Sequence, residues 1–363
     1  MITRIRIIRS TFVLLAGSLL TLPISRGASA EPQAYIKFDG SRGNYVEILD
    51  PSTTDFSVNS GLGLTVAAWF RPDALHFDLT DGSALTSRGT AEQYVHWVGK
   101  GCGVNLSVDP SKCVGRGEVD TRTGTQRQEW TFRIYSQTLP LPCPTEPDPL
   151  DPDRPPCPRQ NRISFYVFNL SAPQGMTCQN EGIGSYFQDP DPDTAVLGKW
   201  IHVVGVVDDS EDLMNNPRAK TTAIYKDGEF VRCDQYQGRV PGLSSCQRLP
   251  DQTGNQCPRP ITPTHGTAPV RIGRRDRDGY FNGAIAEVRI WNRPLDKDEV
   301  KRVHEFDGTV PLPDGLVGEY LLNEGTTGGG CTAHDTSGTT TGPNDGTVFG
   351  TTWTWFPSPA PAC

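Results

Sequence analysis

The sequence predicts an all-β protein, an antiparallel two-sheet β-sandwich of the jelly-roll type with disulfide-stapled loop insertions. Its apolar runs are short, and they alternate with polar residues or are β-branched and aromatic, which is typical of strands. The 38 glycines and 31 prolines separate these runs from one another. The ten cysteines are an even number, which fits up to five disulfides in an exported chain.

Nine segments have the residue pattern of strands: Tyr35–Phe38, Tyr45–Leu49, Leu64–Phe70, Trp130–Tyr135, Ile163–Phe168, Ile201–Val207, Thr222–Tyr225, Val270–Gly273 and Ile285–Trp291. One short helix is predicted between Pro294 and Val303, because proline comes early, acids follow in the first turn and apolar residues recur at helical spacing. Asp227-Gly228 lies between two predicted strands and indicates a type I′ hairpin turn, since glycine accepts a positive φ.

Large aromatic residues on the predicted strands are candidates for the core. Trp69, Trp200 and Trp291 are expected to fill the space between the sheets, because large aromatics are the main core fillers. His202, close to Trp200, is interpreted as a packed or hydrogen-bonded strand residue and not as a catalyst.

The first 30 residues have the pattern of a secretory signal peptide. Arg4, Arg6 and Arg9 precede an apolar run from Thr11 to Leu22, and Ala28-Ser29-Ala30 forms a small-residue cleavage site. The apolar run is too short for a membrane-spanning helix. We therefore expect a secreted, cell-surface or periplasmic chain that starts at Glu31 and has no transmembrane segment, with an uncleaved anchor as the alternative.

The charge balance is acidic. Asp and Glu number 42 and Lys and Arg number 34, and four of the arginines lie in the signal region, so the mature chain carries a net charge of −12. An acidic surface repels phosphate backbones, so nucleic acid is not an expected partner. Such a surface suits cation binding where carboxylates converge.

Long loops interrupt the strand pattern. Residues 31–308 are predicted to form the main domain, with a Pro/Cys-rich insertion at 137–161 and a Cys-rich loop at 233–267. Residues 309–363 are predicted to form a C-terminal accessory segment that packs on the sandwich. Three disulfides are plausible because their cysteines are close in sequence: Cys102 with Cys113, Cys143 with Cys157, and Cys331 with Cys363. Closeness in sequence does not establish a disulfide, so the pairing stays open.

Seven blocks between Tyr35 and Val303 resemble, in order, the laminin-G-like domains of the concanavalin A-like lectin/glucanase superfamily, in the branch close to pentraxins. They include YIKFDG from Tyr35, LTVAAWFRP from Leu64, GKWIHVVG from Gly198, IYKDG from Ile224 and a closing block, FNGAIAEVRIWNRPL, from Phe281. The resemblance implies two curved antiparallel sheets that fold into a concanavalin A-like jelly roll.

The resemblance also implies a calcium ion held near the first turn and the closing strand. Asp39, Gly40 and Glu287 match the positions of its ligands, and Asn44 lies nearby. Carboxylate and carbonyl oxygens are the ligands that calcium prefers. Ala286 stands where the family often has Asp, which removes one ligand. The alternative is that Asp39 only shapes its turn.

The loop before the closing strand is a candidate ligand contact, because rim loops carry such contacts in this superfamily. It contains Asp278 and Tyr280, and Tyr280 is predicted to stack on a sugar. The alternative is an exposed polar hairpin without a ligand.

The resemblance leaves three functions open, because this fold hosts lectins, adhesion modules and enzymes. We favour a secreted, non-catalytic module that binds a glycan or an extracellular protein, with calcium support. A glycoside hydrolase or polysaccharide lyase and a structural or adhesive surface protein are the alternatives. No catalytic residue is predicted: the glucanase pattern E-x-D-x-x-E is approached only from Glu118 to Thr123, where the third acid is missing.

Overall fold

The computed structural model shows two antiparallel sheets packed face to face. It describes residues 31–41, 43–49, 56–59, 61–77, 94–101, 128–136, 161–168, 182–189, 192–212, 216, 218–235, 262–263, 268–274, 280–327, 330–339 and 343–357. The signal region and nearly all of the 137–161 and 233–267 insertions lie outside these residues, so the predictions about them stay predictions.

The first sheet, sheet A, contains eight strands: β1 (Tyr35–Asp39), β3 (Gly63–Pro72), β8 (Ile201–Asp208), β9 (Thr221–Lys226), β10 (Glu229–Gln235), β12 (Asn282–Trp291), β13 (Leu316–Tyr320) and β16 (Thr354–Phe356). Their order is β10-β9-β8-β3-β12-β1-β16, and β13 pairs with β12.

The second sheet, sheet B, also has eight strands: β2 (Tyr45–Ile48), β4 (Tyr94–Gly101), β5 (Gln128–Tyr135), β6 (Ile163–Phe168), β7 (Gly182–Phe187), β11 (Val270–Ile272), β14 (Thr332–Ala333) and β15 (Gly346–Phe349). Their order is β14-β15-β2-β11-β4-β5-β6-β7. All nine predicted strands and the predicted sandwich are confirmed. The C-terminal segment supplies strands to both sheets, since β15 pairs with β2 and β16 pairs with β1.

The core between the sheets is built around an aromatic column. Phe70 of β3 stacks on Trp97 of β4 with ring centroids 4.5 Å apart, and Trp97 stacks on Phe132 of β5 at 4.8 Å. All three rings are fully buried. Stacked aromatic pairs add packing energy to the burial of their apolar surface, so this column holds the two sheets together.

The prediction that Trp69, Trp200 and Trp291 fill the inter-sheet core is wrong. Trp69 and Trp291 lie in separate clusters on the outer face of sheet A, and Trp200 packs beside Trp69 there. The reason is strand parity: side chains on a strand alternate between the two faces of the sheet. The opposite face of β3 enters the core through Leu64, Val66, Ala68 and Phe70.

The predicted helix is confirmed as α2 (Lys297–His304), which covers part of the outer face of sheet A. Its Asp296 side chain accepts from the backbone N–H groups of Asp298 and Glu299, and Glu299 returns a bond to the Asp296 N–H in a capping box. Val300 and Val303 are buried in the outer-face cluster. The remaining helical pieces in the described residues are α1 (Pro192–Ala195) and a 3₁₀ turn (Glu324–Thr327).

Asp227 and Gly228 have φ angles of 50° and 80°, which confirms the predicted type I′ turn between β9 and β10. Cys233 and Cys331, the two cysteines in the described residues, are both disulfide-bonded. In the part of the chain that the structure describes, no helix has the length and apolarity needed to cross a membrane.

Candidate functional site

One end of the sandwich brings together three chain segments that are far apart in sequence. They are the β1–β2 turn, the start and end of the β11–β12 loop, and the β15–β16 turn. Six polar and aromatic residues at this end form what we call the rim: Asp39, Asn44, Tyr45, Arg274, Tyr280 and Phe349.

Asp39 closes the first turn of the rim. Its Oδ1 accepts from the Ser41 N–H at 2.9 Å and from Asn44 Nδ2 at 2.8 Å, and its Oδ2 accepts from the Ser41 hydroxyl at 2.9 Å. Burial raises the pKa of the Asp39 carboxyl, but hydrogen bonds from Ser41, Thr352 and Asn44 outweigh burial, so the pKa lies below its usual value. Asp39 is therefore a carboxylate at neutral pH.

Asn44 fastens this turn to the C-terminal strands. It is 2% exposed, its Nδ2 donates to Thr352 Oγ1, and its Oδ1 accepts from the Thr351 N–H at 3.1 Å. Gly350 makes this approach possible, because a Cβ at that position would lie 1.9 Å from Asn44 Oδ1. Gly350 also has a φ of 95°, a conformation that favours glycine.

An aromatic and guanidinium stack lies on the outer side of sheet B at the rim. The Arg274 guanidinium carbon is 4.5 Å from the centre of the Tyr45 ring and 5.5 Å from that of Tyr280. Tyr45 in turn stacks on Phe349 with centroids 4.9 Å apart. All four side chains are half-buried. Arg274 Nε is buried and has no hydrogen-bond partner among the described residues.

The core fixes the position of Tyr280. Its neighbour Phe281 is 1% exposed and donates its N–H to the Gly273 carbonyl at 3.1 Å, which closes the base of the loop. Gly273 lies against the Phe38 ring, where a Cβ would approach to 2.9 Å. The structure thus places the predicted ligand contact Tyr280 beside Arg274. Asp278 lies outside the described residues, and its predicted role stays a prediction.

Of the four residues predicted to hold calcium, the structure brings three together. Asp39, Gly40 and Asn44 share the β1–β2 turn, whereas Glu287 lies elsewhere. Asp39 pairs with Asn282 in the sheet register, and Glu287 lies five residues farther along β12, about 16 Å away at the usual rise of a strand. Glu287 Oε2 accepts from Arg289 at 2.9 Å.

The rim as placed is a hydrogen-bonded turn and not an open cage of oxygens. The donors around Asp39 occupy most of the lone pairs of its carboxylate. Among the described residues, no group of three or more His, Cys, Asp or Glu side chains is placed to hold a metal ion. Calcium binding at Asp39 would require the Ser41 hydroxyl or the Asn44 amide to move, and it stays a prediction.

Sequence reasoning missed Tyr45, Arg274 and Phe349. Strand alternation could have indicated two of them. Val46 and Ile48 point into the core, so Tyr45 points outward. In the same way Val348 points inward and Phe349 points outward. What the sequence did not contain was the pairing of Tyr45 with Phe349 across β2 and β15.

Residues 251–301 match a family model described as the concanavalin A-like lectin/glucanases superfamily. No curated protein matches the chain. A candidate carbohydrate binding protein from Bacteroides ovatus is similar to this chain, with 16% sequence identity and a TM-score of 0.44. The similarity covers 92% of this chain and 62% of that protein, so this chain spans less than two thirds of its length.

Two further solved structures are similar to this chain. A heptameric SAP-like pentraxin from Limulus polyphemus is 11% identical over 79% of this chain and 88% of its own, with a TM-score of 0.39. Domain 4 of an extracellular arabinanase from Geobacillus stearothermophilus, in complex with arabinotriose, is 14% identical over 74% of this chain and 75% of its own, with a TM-score of 0.31.

The matched segment includes β11, β12 and the first part of α2, which lie in a sandwich of two antiparallel sheets. The matched segment therefore resembles the concanavalin A-like lectin/glucanase superfamily, and the two antiparallel sheets form the sandwich that this resemblance implies.

Proposed function

We propose that the rim binds a glycan and that the protein is an exported, non-catalytic binding module. The observation that carries the proposal is the stack of Arg274 against Tyr45 and Tyr280. A sugar ring offers one apolar C–H face and a border of hydroxyls, so it needs an aromatic surface next to hydrogen-bond donors and acceptors. The rim has aromatic rings, a guanidinium and the carboxylate of Asp39 within one end of the sandwich.

The arrangement of the stack supports a preformed contact surface. Tyr45 is fixed by its strand and by Phe349, and Tyr280 is fixed by the buried Phe281. Rigid side chains lose little conformational entropy on binding, which favours affinity. The guanidinium of Arg274 has donors in a fixed plane, and these can pair with neighbouring hydroxyls or a carboxylate of a sugar.

Export is part of the proposal and rests on the N-terminal pattern up to Ala30. Glycans of the cell surface and matrix are then the accessible ligands.

The first prediction concerns the rim side chains. Tyr280→Ala and Arg274→Ala are each expected to weaken glycan binding about tenfold or more, because each removes one face of the stack. The measurement is a glycan array with the mature chain, followed by titration of the strongest ligand. Phe230→Ala is the matched control, because Phe230 is an exposed aromatic residue on β10, near the opposite edge of sheet A. Unchanged affinity in both rim variants would place the site elsewhere.

The second prediction concerns calcium, which we propose as a support for the Asp39 turn. If calcium binds the folded state, the melting temperature is higher in calcium than in EDTA. The apparent free energy of unfolding rises by about 2.7 kcal/mol when calcium is in hundredfold excess over its dissociation constant. Asp39→Asn is expected to abolish this shift. Asp307→Asn is the control, because Asp307 is an exposed acid whose carboxylate accepts from the N–H and the hydroxyl of Thr309 in its own turn. A wild-type chain that melts equally in calcium and EDTA contradicts the proposal and leaves the rim as a metal-free site.

A further inference from the structure

A cavity lies away from the rim, on the outer face of sheet A beside the start of α2. It has a volume of about 430 Å³, and its floor consists of Val206 on β8, Ala223 on β9 and Leu295 before the helix. In the sheet order, β3 separates β8 and β9 from β12 and β1, so this cavity and the rim have no residue in common. Ligand pockets usually have volumes of about 300–1,000 Å³.

One wall of the cavity is held rigid by bonds within the protein. The Arg293 guanidinium donates to both oxygens of Glu299, at 2.9 and 2.7 Å. The Thr65 hydroxyl donates to the Arg293 carbonyl at 2.8 Å and accepts from the Leu295 N–H at 2.9 Å. The Asp296 side chain accepts from the N–H groups of Asp298 and Glu299 in the first turn of the helix.

The facing wall carries polar groups of both kinds. Asp208 is at the end of β8, and its Oδ2 accepts from Asn216 Nδ2 at 2.8 Å. Asn216 Oδ1 accepts from the Arg218 N–H at 2.9 Å, which fixes the turn that carries the Arg218 side chain. Arg218 is half-buried and lines the cavity with Asp208 and Asn216. Asn216 Nδ2 also donates to Ser210 Oγ at 2.8 Å, so both amide N–H groups are used within the turn. This wall therefore presents the guanidinium of Arg218 as a donor and the oxygens of Asp208 and Asn216 as acceptors above an apolar floor.

We propose that this cavity binds one neutral monosaccharide unit, at a site independent of the rim. The apolar floor fits the C–H face of a pyranose or furanose, and the facing wall offers donors and acceptors to its hydroxyls. The charges favour a neutral ligand. Among the lining residues the three acids Asp208, Asp296 and Glu299 outnumber the two cations Arg218 and Arg293, which disfavours an anionic sugar.

The test is a titration of the full chain with three separate probes, D-glucose, D-galactose and N-acetyl-D-glucosamine, followed by methyl NMR. We expect at least one probe to cause saturable shifts of the methyl signals of Val206, Ala223 and Leu295, with a dissociation constant in the millimolar range. Arg218→Ala is expected to weaken this binding about tenfold, since a charge-assisted hydrogen bond is lost. Ala223→Leu fills the floor and is expected to abolish the shifts.

Two controls separate this site from the rim and from misfolding. Tyr280→Ala removes part of the rim and is expected to leave the shifts of the cavity methyl groups unchanged. Arg218 is half-buried on a turn, so Arg218→Ala is expected to keep the wild-type melting curve even if Ala223→Leu disturbs the fold. The proposal is overturned if none of the three probes gives saturable shifts, if Arg218→Ala binds as tightly as wild type, or if Tyr280→Ala removes the shifts.

Discussion

His202 is a completely buried imidazole on β8, and neither of its ring nitrogens has a hydrogen-bond partner among the described residues. Its ring packs at a tilt against Trp69 and against His304, the last residue of α2, with ring centroids 5.1 Å apart in each pair. Burial, then the nearby His304 and Arg289, place the pKa of His202 well below its usual value. The sequence interpretation of His202 as a packed strand residue is confirmed, although the imidazole packs without a hydrogen bond.

The third prediction is a loss of stability in weak acid. Burial also lowers the pKa of His304, although Asp227, Glu305 and Glu229 raise it. Between the usual histidine pKa of 6.5 and the lower folded values, the unfolded chain binds protons that the folded chain rejects. As far as these two histidines contribute, the free energy of unfolding is therefore highest above the usual histidine pKa. It falls as the pH drops below that pKa, by at most on the order of 1 kcal/mol per pH unit for each imidazole.

Urea unfolding at about pH 8 and about pH 5.5 measures this effect. His202→Phe keeps an aromatic ring and removes the titrating group, so it is expected to flatten the pH dependence. His334→Gln is the control, because the His334 side chain is 61% exposed. A pH profile of His202→Phe that matches the wild-type profile would exclude His202 as the source.

At the scale of elements, α2 shows how local sequence and tertiary contacts act together. The capping box of Asp296 and Glu299 is a local signal, and it marks the start of the helix. The helix is too short to be stable alone in water, so the packing of Val300 and Val303 on the sheet is also needed.

Strand β7 is the opposite case: Gly182 and Gly184 weaken its strand pattern, and the sequence did not predict it. The Tyr166 ring occupies the space that a side chain at Gly184 would need.

The fourth prediction tests the helix cap. Asp296→Ala removes the acceptor of two backbone N–H bonds, both 2.8 Å long, and is expected to lower the free energy of unfolding by about 1 kcal/mol. Denaturant unfolding measures the change. Lys297→Ala is the matched control, because Lys297 is the exposed neighbouring residue and alanine is the best helix former. Equal losses in the two variants would show that the cap is not the cause.

At the scale of the whole molecule, the two proposed binding sites lie in separate parts of the sandwich. The rim lies where β1, β11 and β15 end and β2 begins, and the cavity lies on the outer face of sheet A beside α2. Strands from the C-terminal segment complete both sheets and bring Phe349 and Gly350 to the rim. A chain with two sugar sites would gain avidity for a glycan that reaches both, provided that the geometry allows it.

The sequence by itself determined the fold class, nine strands, the helix and the type I′ turn, and it named three of the six rim residues, Asp39, Asn44 and Tyr280. These features depend on alternation, capping and turn chemistry, which are properties of neighbouring residues. Only the tertiary structure decided which face each tryptophan occupies, that Glu287 is remote from Asp39, and that Tyr45 meets Phe349 and Arg274. Those outcomes depend on the register between distant strands, and a shift of one residue in register would turn every side chain of a strand to the other face.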